Sequence, residues 1–181
     1  MMAKYILGRQ AKNRSIIIRY CTVIGITLFL IAILQTSVLS RIKPFGATPD
    51  LMIATVTAIS VLCGCHTGAI TGIAAGFLID ALGSTGFSIL PLICFLIGYL
   101  IGYYTKVISA QGFLSYLVCL VISVIVRILT SLLYTFLVFR QFHVPTFLLK
   151  VALPEAIGTL VFGIALFFPV FLVVRWLSKK E

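Results

Sequence analysis

Acids are the scarcest charged groups in this chain: four occur in 181 residues, Asp50, Asp80, Glu155 and Glu181. The first three stand in or at the start of long apolar runs, as does one cation, Arg127. A charged side chain within hydrocarbon costs about 3 kcal/mol on insertion scales and more in simulations, so Asp80 and Arg127 are expected to face protein rather than lipid. Asp80 is the preferred partner for Arg127, with Glu155 second. The plainer alternative lets Arg127 snorkel outward while Asp50 and Glu155 merely begin helices. Asp80 does not fit that alternative, because it stands near the C-terminal end of its run, where the helix dipole disfavours an acid.

Other reactive side chains make a weaker case. The sequence "CGCH" places Cys63, Cys65 and His66 within one turn, but three ligands without a convergent fourth are a poor zinc site. Small residues in a tight turn explain it better. His143 and Glu155 could approach each other, yet a histidine and an acid without a nucleophile are poor evidence for catalysis. The expectation is no metal, no cofactor, no catalytic residue and no enzyme. All five cysteines sit in or beside apolar runs, where cysteine acts as a small hydrophobe, so no disulfide framework is expected.

A different pattern concerns packing. Gly64, Gly68, Gly72 and Gly76 recur every fourth residue, which strips the side chains from one ridge of a helix, while Thr67, Thr71 and Ala75 keep the adjacent ridge low. Such a face lets another helix approach backbone to backbone. The approaching helix is either internal or part of another chain, since the spacing alone selects neither. The ridge then leads to Asp80 and Ser84 at the same interval.

These residues need an apolar scaffold to position them, and the composition supplies one. Hydrophobic residues make up 61% of the chain and charged residues only 10%, against about 25% charged in soluble domains. This is an all-α integral membrane protein by its composition, with apolar runs at roughly 18–39, 49–63, 65–82, 88–104, 112–139 and 152–177. About six transmembrane helices follow, the third glycine-rich. The second is short for a hydrocarbon core of about 30 Å, and is read as a short span in preference to half of a re-entrant hairpin. The first run is too long for a signal h-region and has no small-x-small cleavage site, so it reads as a retained helix. A single membrane domain over 1–181 is expected: a basic segment 1–15, a helical bundle 16–177 and a short tail 178–181.

The net charge of +10 reports topology here rather than nucleic-acid binding. Six spans put both termini on one side, and that side carries nine Lys and Arg against four opposite, so both termini are expected in the cytoplasm. Tyr20, Tyr103, Tyr104, Tyr116 and Trp176 fall at the inner ends of spans and Tyr134 near an outer end, as interfacial aromatics do. Asp50, Asp80, Arg127 and Glu155 then belong to the outer half. In "ATPDL", Thr48 reads as the N-cap, Pro49 as the first helical residue and Asp50 as an acid in the first turn. Pro154 and Glu155 repeat that logic, a stretch at "TFLLK" reads as lying along the outer surface, and Pro169 is expected to bend the last helix. The basic N-terminus reads first as a positive-inside anchor and second as a contact for anionic lipid or a cytoplasmic partner.

The order "LQTSVL", "PDLMIA", "GIAAGFLIDALGSTGFSILPLICFLIGYLIGY" resembles the bacterial rod shape-determining protein MreD family. The resemblance rests on Pro49, Asp50 and Leu51; on Gly72, Gly76 and Asp80; on Gly83 and Gly86; and on Gly98, Tyr99, Leu100 and Gly102, and covers about residues 34–104. It departs in the longer basic N-terminus and in "GSTGFSILP", where many relatives have a Pro-Leu-Gly-rich loop. The last two spans fit only in hydropathy and length. The resemblance implies a non-enzymatic, multi-pass scaffold subunit of the cell-elongation machinery in the inner membrane. It would bind MreC and, through it, MreB, RodA and a penicillin-binding transpeptidase, in support of peptidoglycan synthesis and rod shape. The competing reading is a membrane substrate-binding subunit of an energy-coupling vitamin transporter, in which Asp50, Asp80, Arg127 and Glu155 line an outward pocket.

Overall fold

The computed structural model describes residues 19, 21–39, 41, 48–83, 90–108, 112–138 and 152–178. Helix α1 covers residues 21–33 and continues as a π-helical stretch, Leu34–Leu39. It is followed by α2 (Leu51–Cys63), α3 (Cys65–Gly83), α4 (Leu90–Ile108), α5 (Phe113–Val138) and α6 (Leu153–Ser178). Four of these are long and apolar enough to cross a membrane, over Cys65–Leu82, Leu90–Val107, Phe113–Leu133 and Leu153–Arg175; Cys21–Ser37 and Leu51–Cys63 are shorter. The segment 1–15, Gly86, His143, residues 146–150 and the side chains of Tyr20, Tyr134 and Trp176 lie outside the described residues.

The shortest helix is the axis of the bundle. Every residue of α2 from Leu51 to Val61 is buried, and α3, α4, α5 and α6 all pack on it. A helix of 13 residues rises about 20 Å, less than the hydrocarbon thickness, and α2 is surrounded by protein. Its apolar side chains suit a helix with no solvent face. Its polar ones bond their own backbone: Thr55 to Leu51 O, Thr57 to Ile53 O and Ser60 to Val56 O, at 2.6–2.8 Å. Thr57 also meets the Ser123 hydroxyl of α5 at 2.9 Å, a link between helices worth about 0.6–2 kcal/mol in lipid.

Close approaches show how the chain runs. A Cβ on Gly68 would collide with Ser60 Oγ of α2 and approach Gly98 O of α4 to 2.7 Å; on Gly72 it would meet the Cys94 carbonyl, and on Gly76 the Pro91 backbone. A Cβ on Gly102 would meet Cys65. Each step of about four residues along α3 is thus matched by a similar step backwards along α4, so the two run antiparallel with their backbones in contact. The ridge is occupied by an internal helix over Gly68, Gly72 and Gly76, and Gly98 and Gly102 of α4 answer it.

Gly64 has a different role. No described atom lies within 4 Å of where its Cβ would be, but its φ is +86°, a region that L side chains avoid and glycine enters freely. It is the single residue between α2 and α3, its N–H closing on Ser60 O at 3.0 Å and its carbonyl accepting from Gly68 N at 2.9 Å. The small residues of "CGCH" make this reversal possible, and His66 is exposed beside it.

On the opposite flank, α5 runs antiparallel to α6. Tyr116 of α5 donates its hydroxyl to Gly163 O of α6 at 2.7 Å, and its ring lies 4.6 Å from that of Phe167. Tyr116 is fully buried, which corrects its reading as an interfacial aromatic: the partner across the helix pair decided its position, not its place near a helix start. Tyr103 and Tyr104 are exposed. Pro169 stands inside α6, which continues through it.

Candidate functional site

A buried helix start is expensive in a membrane, because the first N–H groups of a helix have no partner within it and lipid offers none. Side chains from three helices and a residue of α2's own start solve this for α2. Asp50, not Thr48, is the N-cap: its Oδ1 accepts from Ile53 N at 3.3 Å. The Gln35 amide oxygen, in the π-helical end of α1, accepts from Met52 N at 3.1 Å. Thr159 Oγ1 of α6 accepts from the Asp50 N–H at 2.9 Å and donates its own hydroxyl hydrogen bond to the Glu155 backbone carbonyl at 2.7 Å.

Arg127 of α5 closes the arrangement. Its Nε donates to Asp50 Oδ2 at 3.0 Å, in a pair whose side chains are 24% exposed for Arg127 and 6% for Asp50. The sequence reading favoured Asp80 and then Glu155 as the partner of Arg127; the carboxylate found against it is that of Asp50. The reason lies in helix rotation. Arg127 projects toward α2 and α6, whereas Asp80 sits on α3, which packs chiefly on α4. Glu155 stands in the first turn of α6, within electrostatic range of Arg127, and lines a void of about 10 Å³ with Asp50, Arg127 and Thr159.

Asp50 stands at the positive end of the α2 dipole and Glu155 at that of α6, positions where an acid is favoured. Asp80 is the polar group left over: its Oδ1 is buried with no hydrogen-bond partner among the described residues. Pro49, the proposed first helical residue, is buried just before the cap.

Chemically this cluster can hold helices, and little else. The Asp50 carboxylate is committed to the Arg127 guanidinium and to the Ile53 N–H, and the void is of the size of one water. Among the described residues no group of three or more His, Cys, Asp or Glu could hold a metal, and the five cysteines are free thiols. Gln35 and Thr159 were absent from the sequence-based site. Two signals were available for them: Gln35 is the one amide in the first apolar run, and Thr159 follows Glu155 by one turn.

Replacing Thr159 by valine tests this capping role with little change of shape. Thr159→Val should cost about 1–3 kcal/mol, since it strands the buried Asp50 N–H, while Thr159→Ser should cost much less. Thermal unfolding in detergent reads the difference.

The family comparison fits this architecture. Residues 16–177 match the model for rod shape-determining protein MreD. The chain belongs to the MreD family. Members of that family are non-enzymatic, shape-determining membrane proteins, so this chain is a multi-pass membrane protein with a role in rod cell shape, associated with the rod-shape machinery. The family places it in the bacterial inner membrane. No curated protein and no solved structure matches the chain.

Proposed function

We propose that the protein is the inner-membrane scaffold that binds MreC and thereby holds it in the cell-elongation complex, with MreB, RodA and the penicillin-binding transpeptidase joined through that contact. The observation that carries this reading is the division of labour in the fold. The polar groups face inward and tie α1, α2, α5 and α6 into one body, while α3, α4, α5 and α6 present large apolar side chains outward. A rigid bundle with an apolar girdle is suited to receiving another membrane helix, where close packing and a few hydrogen bonds supply the affinity.

In this reading the whole chain is one membrane domain with both termini in the cytoplasm, and the Asp50–Arg127 cluster lies toward the outer face. Among the described residues the geometry does not favour a vitamin-binding subunit. Small-molecule sites occupy about 300–1,000 Å³, and the space beside Asp50, Arg127 and Glu155 is about 10 Å³. A larger cleft, about 710 Å³, opens at the other end of the bundle around Gly64 and Lys106, away from the acids.

Co-purification from membranes tests the scaffold role. The full-length chain should retain MreC through detergent extraction and size-exclusion chromatography. A well-folded chain that never captures MreC would remove the proposal, and tight retention of a vitamin would replace it with the transporter reading.

A further inference from the structure

The cleft at the Gly64 end of the bundle collects hydrogen-bond donors that the fold leaves unused. It encloses about 710 Å³ between the α2–α3 reversal and the last turn of α4, lined by Cys65, His66 and Thr67 on one side and by Gly102, Thr105 and Lys106 on the other. Lys106 is exposed and forms no ion pair among the described residues. No acid lines the cleft among those residues either. Asp80 stands 15 residues along α3 from Cys65, about 22 Å of rise away, and Asp50 and Glu155 belong to the cluster around Arg127.

The neutral donors are equally free. Thr71 and Thr105 return their hydroxyls to helix carbonyls four residues back. Thr67 is in the first turn of α3, where the residue four back, Cys63, belongs to α2, and its hydroxyl bonds no described residue. Cys65 is 8% exposed, and its thiol also lacks a hydrogen bond to a described residue. His66 is exposed in the same turn, and an imidazole has an N–H to donate in either protonation state. The backbone adds to them. The first hydrogen bond of α3 runs from Gly68 N to Gly64 O, and Gly64 has no side chain with which to cap the N–H groups before it.

A lysine charge, a hydroxyl, an imidazole N–H and a helix start converging on one cleft without an acid are complementary to an oxyanion. Its source follows from the surroundings. Tyr103 and Val107, one turn and one residue from Lys106, are 55% and 65% exposed, so this end of α4 lies against lipid. The oxyanions concentrated at that level are headgroup phosphates, and an uncompensated lysine selects lipids with net negative charge.

We propose that this cleft binds the phosphate headgroup of an anionic phospholipid. Lys106 supplies the charge, and His66, Thr67 and the first N–H groups of α3 supply hydrogen bonds. The site goes beyond the MreC scaffold reading and does not depend on it.

The test follows thermal unfolding of the full chain in a neutral detergent as phosphatidylglycerol is titrated in. Wild type should gain stability and saturate. Lys106→Gln should raise the apparent dissociation constant about tenfold or more, as loss of a charge-assisted hydrogen bond does, and Thr67→Val about three- to tenfold. Without lipid both variants should unfold as wild type does, since neither side chain has an internal partner. Arg175→Gln, an exposed basic residue near the end of α6 and outside the cleft, should change the constant less than about fivefold, the value of one diffuse charge at an anionic surface. The proposal is overturned if wild type shows no saturable gain, or if Lys106→Gln responds as wild type does. It is also overturned if phosphatidylcholine, or inorganic phosphate at equal ionic strength, stabilises as well as phosphatidylglycerol. Equal losses in Arg175→Gln and Lys106→Gln would overturn it too, by reducing the effect to a diffuse positive surface.

Discussion

Arg127→Leu is expected to lower the free energy of unfolding by about 3–5 kcal/mol, the cost of stranding one member of a buried ion pair. Asp50 is only 6% exposed in its side chain, so water cannot take over from the guanidinium. What remains for its carboxylate is the Ile53 N–H at 3.3 Å, a capping bond already in use. Arg127→Lys should recover part of the loss, since it restores the charge without the planar donor fork. Asp50→Asn should also destabilise, though it keeps an acceptor for the cap. Denaturation of the purified protein in mixed micelles gives all three values, and an Arg127→Leu chain as stable as its parent would show that the pair holds nothing together.

The second large effect is steric. Gly72→Leu places a side chain where even a Cβ would strike the Cys94 carbonyl. The obstacle is backbone, so no rotamer change relieves it. Overpacking that side chains can absorb costs about 1–3 kcal/mol; here α3 and α4 must separate along their length, and loss of folded, monodisperse protein is the expected outcome. Gly25→Leu is the matched control. No described atom lies within 4 Å of its Cβ position, so the change should stay within about 0.5 kcal/mol. Equal behaviour of the two variants would mean that the glycine ridge is not a packing surface.

Much of the fold was legible because hydrocarbon imposes simple rules. Apolar length marks a helix and polar breaks mark its ends, so the expected runs 65–82, 112–139 and 152–177 lie within a residue or two of α3, α5 and α6. The α4 run was less well bounded, expected at 88–104 and found at Leu90–Ile108, because Tyr103 and Tyr104 read as an interfacial end while the helix continues past them. Of the four glycines at that interval, Gly68, Gly72 and Gly76 meet the backbone of α4, whereas Gly64 makes the turn before α3.

What was not legible was rotation about the helix axes. Amphipathic helices reveal their inner face, but α2 is buried on all sides, and its periodicity is silent on which neighbour lies where. Arg127 was therefore assigned to Asp80 by depth alone, when its partner starts a different helix. The same gap explains the cap: "ATPDL" contains two good N-cap residues, and propensity does not say that Asp50 will be held by Thr159 from a helix more than 100 residues away. Tyr116 failed for a related reason, since its acceptor, Gly163, is in another helix.

A double-mutant cycle on unfolding free energy tests most directly the claim that Asp50 and Arg127 together lock the axial helix to its surroundings. Asp50→Asn and Arg127→Gln, singly and combined, should show a coupling of more than about 1 kcal/mol, whereas Asp80→Asn with Arg127→Gln should be additive within about 0.5 kcal/mol. Additivity for Asp50 with coupling for Asp80 would contradict the account.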